Sequence, residues 1–117
     1  MTAMTVLQKY YDIGAAQRGL DRVADTITHF QALGSPTSNN VFLAQSSGLV
    51  KSGAQALDEL GHTKLAEKLT RDASALDGAF VSKVGPGPTP TNLSNIRDRI
   101  LEGVRLLHTD MSKLDIS

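Results

Sequence analysis

Between Leu93 and Leu114 the apolar residues Leu93, Ile96, Ile100, Val104, Leu107, Met111 and Leu114 are separated only by steps of three and four. At 3.6 residues per turn this spacing gathers all seven on one helical stripe, whereas a strand, with its period of two, would scatter them over both faces. The segment reads as a helix over about 93–114. The same rhythm recurs three times upstream. Ile13, Ala16, Leu20, Val23, Ile27 and Phe30 mark a first helix over about 4–33. Leu43, Val50 and Leu57, with Phe42, Leu49 and Ala56 on the adjacent row, mark a second over about 38–60. Leu65, Leu69, Ala73, Leu76, Phe80 and Val84 mark a third over about 63–84. No segment alternates with period two, so no strand is expected.

The breaks between stripes carry the residues that end and start helices. Gly34 suits a left-handed terminus, and Ser35 followed by Pro36 suits a cap and first turn. Gly61 is placed to stop the second helix and Thr63 to cap the third, leaving a connection short enough to force an antiparallel hairpin. The stretch "VGPGPTPTN" holds three of the four prolines, so residues 85–92 are expected to form a loop. Helices of about 22 residues would each be roughly 33 Å long. The predicted fold is all-α, an antiparallel up-and-down four-helix bundle formed by a single domain over 1–117 and able to dimerise. Gly53 and Gly103 fall on the core stripes of the second and fourth helices, and the sequence predicts that these two helices cross closely there.

Twelve basic residues balance twelve acidic ones, so no long-range field draws in phosphate backbones or anionic lipid, and nucleic-acid binding is disfavoured. The three arginines of the fourth helix, Arg97, Arg99 and Arg105, are interleaved with Asp98 and Glu102, and aromatics for base stacking are few. Cysteine is absent, which removes disulfides, iron–sulfur clusters and thiolate zinc sites. No stretch approaches 18 apolar residues and the N-terminus has no basic region followed by an apolar run, so a soluble cytoplasmic chain without a membrane span is expected.

Histidine phosphotransfer domains are also four-helix bundles, but His62 in "GHTKLA" sits beside a helix-ending glycine, with Lys64 two residues on instead of three and alanine where glycine would stand. It is read as an exposed junction residue. Arg22 and His29, six residues apart, loosely resemble the arginine–histidine pair of HEPN-class helical ribonucleases. That resemblance implies an RNA-cleaving dimer, although about 0.5 such matches arise by chance in a chain with six arginines and three histidines. Both residues fall on the far side of the first helix from its core row. A di-metal carboxylate bundle needs inward Glu-x-x-His pairs, which three glutamates cannot supply, so no metal site is assigned. His108, near the end of the fourth helix, suits capping. In "GPGP" prolines stand where a phosphate loop needs N–H donors. No catalytic or cofactor-binding residue is assigned and no cofactor is expected.

What remains is apolar surface beyond the narrow stripes: Tyr11, Phe42, Leu49, Leu101 and Leu106, with Leu7 beside them. A contiguous exposed patch of this kind marks a protein partner or self-association. The expected function is therefore a small non-enzymatic interaction module such as an adaptor, inhibitor or assembly factor. The alternatives are the ribonuclease dimer and a carrier of an apolar ligand, the latter suggested by Ser46, Ser47, Gly53 and Ala54 in the middle of the second helix.

Overall fold

A computed structural model describes the backbone over 3–33, 40–81 and 90–114 and side-chain environments over 5–29, 46–76 and 92–114. Four helices follow one another: α1 (Ala3–Leu33), α2 (Asn40–Glu59), α3 (Thr63–Val81) and α4 (Pro90–Ser112). There is no strand among the described residues. The molecule is elongated, 52 × 23 × 19 Å.

The core is built from the predicted stripes. Ile13, Leu20, Val23 and Ile27 of α1, Val50 and Leu57 of α2, Leu69, Ala73 and Leu76 of α3, and Leu93, Ile96, Ile100 and Leu107 of α4 are buried, with Ala16, Leu65, Val104, Met111 and Leu114 packed around them. Each fully buried leucine removed from water contributes about 2–3 kcal/mol before entropy is counted. Phe30, Leu43, Phe80 and Val84 lie outside the described side chains.

α4 begins at Pro90, three residues before the first stripe residue. Proline lacks an N–H, but the first turn of a helix has no intrahelical acceptor for one, so the residue that ends a preceding loop can also open a helix. In α2 the core face is turned away from the predicted second row. Leu49 is 37% exposed, while Ser46, Ser47, Gly53 and Ala54 are buried beside Val50 and Leu57. Small residues on both sides bring this hairpin together: Ala54 and Ala66 border one groove between α2 and α3, and Ala73 lies two turns along from Ala66. α1 packs closely on α4 in the same way that α2 packs on α3, and the seams between α1 and α2 and between α3 and α4 are looser.

α2 and α4 do come into contact, with Gly103 against Leu57, but Gly53 faces α1 and not α4. An ideal Cβ on Gly53 would stand 2.5 Å from Leu20 Cγ, and one on Gly103 would stand 3.1 Å from Leu57 Cδ1 and 3.2 Å from Leu20 Cδ1. Both gaps receive leucine side chains, chiefly Leu20 from α1, because a 0% exposed leucine in a close-packed interior needs volume that a neighbouring side chain would otherwise occupy. Leu20, Gly53, Leu57, Leu69 and Gly103 thus form one layer drawn from all four helices.

Candidate functional site

The turn between α2 and α3 decides the position of the histidine singled out from the sequence. Gly61 has φ 96°, a left-handed conformation that glycine adopts without steric cost. The Gly61 N–H donates to the Asp58 carbonyl at 3.0 Å and the His62 N–H to the Leu57 carbonyl at 2.9 Å, the paired bonds of a Schellman ending. The Ala66 N–H then donates to the His62 carbonyl at 3.0 Å, so His62, not Thr63, is the residue whose carbonyl opens α3. With its backbone in both helix ends, His62 directs its imidazole across to α4. Nε2 donates to Asp110 Oδ2 at 2.8 Å, an ionised carboxylate being able only to accept. The side chains are 28% and 16% exposed. His62 is a junction residue as expected, but a tethered and partly buried one.

A second polar link spans the same α3–α4 seam. Asp72 of α3 is buried, and Arg99 of α4 grips it in a two-pronged fork, Nε to Oδ2 and Nη2 to Oδ1, both at 2.7 Å. The hydrogen bonds to Asp72 hold the guanidinium above its ordinary value despite the opposing effect of burial, and the Asp72 and Asp98 charges add to them. Asp72 stands three residues after Leu69 and one before Ala73, at the edge of the core stripe. Nothing local in the sequence points to a partner 27 residues away.

The predicted partner-binding residues are distributed over several faces. Tyr11 is 59% exposed on α1, one turn from Leu7 at 39%. Leu49 leans on Gly19 across the α1–α2 seam, where an ideal Cβ on Gly19 would meet Leu49 Cδ2 at 3.4 Å. It borders a groove there with Asp12, Ala16 and Ala56. Leu101 is 43% exposed on α4. Leu106, five residues on and hence about 140° around the helix, faces a different side and packs against the core. The Phe42 side chain lies outside the described residues. Tyr10, which the sequence reading passed over, stacks edge-on against Tyr11 with ring centroids 6.0 Å apart, which extends the apolar surface of α1.

Arg22 and His29 are both exposed on α1. The Arg22 carbonyl accepts the Thr26 hydroxyl at 2.8 Å, a contact within one turn of helix. Ser46, Ser47 and Ala54 are buried, and the space beside Gly53 is filled by Leu20. Among the described residues no cluster of three histidine, aspartate or glutamate side chains is arranged to hold a metal ion, and no helix is long and apolar enough to cross a membrane.

Compared with known proteins, the chain matches no family model, no curated protein sequence and no solved structure.

Proposed function

We propose that this protein is a helical interaction module that works by presenting apolar helix surface to a protein partner, without chemistry of its own. The observation that carries this reading is the group of large apolar side chains left in solvent by an otherwise well-filled bundle: Leu7 and Tyr11 on α1, Leu49 on α2 and Leu101 on α4. Scattered surface leucines are ordinary, but Leu7 and Tyr11 share one helix face and continue into Tyr10. Two polar pairs, Asp72 with Arg99 and Asp110 with His62, tie helices together, which supports a scaffold reading.

Site-directed photo-crosslinking tests this function. A benzophenone side chain placed at position 11 is expected to capture protein, while the same probe at Ser74, an exposed polar position on α3, captures none. Equal yields at both positions, or none at position 11, would remove the reading.

A further inference from the structure

Of the two seams that α1 makes, the one with α2 is the looser, and it stays open on its outer side. Thr5, Gln8 and Ile13 of α1 line one stretch of it with Leu60 of α2, and Ala15, Gly19, Leu49 and Ser52 line the next. Asp12, Ala56 and Glu59 border both stretches, so the two form one groove. Thr5, Gln8, Asp12, Ala15 and Gly19 are spaced by three and four, which keeps the groove on one face of α1 for about four turns, roughly 21 Å.

The floor of this groove is apolar and its middle is acidic. Ala16, Gly19 and Ala56 leave room for a backbone to come close, and Leu49, 37% exposed, stands at one end. Where the two stretches meet, Asp12 from one wall and Glu59 from the other border the opening. Each carboxylate accepts a bond from an amide one turn back on its own helix: Gln8 Nε2 donates to Asp12 Oδ1 at 2.9 Å and Gln55 Nε2 to Glu59 Oε1 at 3.4 Å. Neither is ion-paired among the described residues, although Lys9 borders the same groove. The groove between α2 and α3 has no such bias, since Lys51 and Arg71 balance Asp58 and Glu67 there.

We propose that the α1–α2 seam is a docking groove for an amphipathic helix of a partner protein whose apolar face carries an arginine or lysine. This rests on the interaction reading above and gives that partner's chemistry. A straight groove of four turns between two helices accepts a third helix, and small floor residues let its backbone approach. A cation at the middle of that helix meets two carboxylates from opposite walls, and a guanidinium can bond both at once. Tyr11, one turn before Ala15 and 59% exposed, stands on the outer shoulder of α1, so the docked helix lies alongside it.

Panning a phage-displayed library of helix-biased peptides of about sixteen residues on the full chain tests the groove. Enriched peptides are expected to carry an arginine or lysine among apolar residues spaced by three and four. As free peptides they are expected to bind the native chain and to lose about tenfold or more in affinity for the double variant Asp12→Asn with Glu59→Gln. Circular dichroism and Tm of that variant should match the native chain, since both side chains are exposed. Asp58→Asn with Glu67→Gln removes the same charge from the α2–α3 groove and is expected to leave binding unchanged. No enrichment, enrichment of peptides without a cation, undiminished binding to the first variant, or equal losses in both variants would each overturn the groove. Peptides that lose affinity only with Leu7→Glu and Tyr11→Glu overturn the groove but keep the interaction reading. A chain that enriches no peptide and captures no protein at position 11 loses both.

Discussion

Leu20 of α1 occupies the volume that a side chain at position 53 of α2 would need: its Cγ, Cδ2 and Cδ1 lie 2.5, 2.6 and 2.8 Å from an ideal Cβ on Gly53. Leu20 is fully buried and Cγ is not a mobile tip, so it cannot yield without disturbing the layer. Gly53→Ala is therefore expected to destabilise by about 1–3 kcal/mol, even though alanine is the better helix former by about 1 kcal/mol. Gly48, in the same helix with nothing near its would-be Cβ, gives the opposite sign: Gly48→Ala is expected to stabilise by about 0.5–1 kcal/mol. Thermal or urea unfolding of the two variants reads the contrast. In a Leu20→Ala background the penalty at position 53 should disappear, because that change removes the three atoms that clash.

The Asp72–Arg99 fork predicts an asymmetry between its two ends. Asp72 is buried and Arg99 is a third exposed, so removing the arginine strands a carboxylate in the core edge, while removing the aspartate leaves a guanidinium that water can reach. Arg99→Ala is expected to cost about 2–3 kcal/mol, Asp72→Ala distinctly less, and Arg99→Lys to recover only part because an ammonium cannot make both bonds of the fork. Urea midpoints at constant m-value measure all three. The folded-state value of Arg99 is raised, chiefly by its hydrogen bonds to Asp72. A raised cation stabilises the fold below its unfolded value and loses that contribution only as pH climbs through the folded one. Both lie in the strongly alkaline range where arginine ionises. The Arg99→Ala penalty should accordingly be the same at pH 8 and pH 10.

His62 and Asp110 tie the α2–α3 turn to the end of α4 through one 2.8 Å bond. His62→Ala and Asp110→Ala are each expected to cost about 0.5–1.5 kcal/mol, and the double variant little more than either alone. Additive costs would mean that the bond carries no energy. Gly61→Ala should cost about 1–2 kcal/mol independently, since any Cβ is strained at φ 96°.

The helices were legible in the sequence because each has a stripe that only a 3.6-residue period can bury, and most of the described core residues fall on those stripes, Ala24, Ala54 and Ala66 lying beside them. Three features escaped that reading for physical reasons. Periodicity ranks faces by apolarity, so it set the Leu49 row beside the Val50 and Leu57 row of α2, whereas the structure buries the opposite flank of Ser47 and Ala54, where small side chains let α3 approach. Thr63 is the better capping side chain, but the backbone of a Schellman turn fixes which residue opens the next helix, and that is His62. The pairings of Asp72 with Arg99 and of His62 with Asp110 are set by how α3 lies against α4, which no local pattern encodes. The exposed apolar residues Leu7, Tyr11, Leu49 and Leu101 were identifiable one by one.

Amide hydrogen exchange of the chain alone and with the protein captured at position 11 tests most directly whether the first turns of α1 are the working surface. Amides flanking Leu20, Leu57, Leu69 and Gly103, in the shared layer, are expected to exchange slowest in both states. Those of residues 5–11 are expected to exchange fast in the free chain and to gain protection when the partner is bound. Equal exchange of residues 5–11 in both states, or new protection centred on Leu49 or Leu101 instead, would contradict the account.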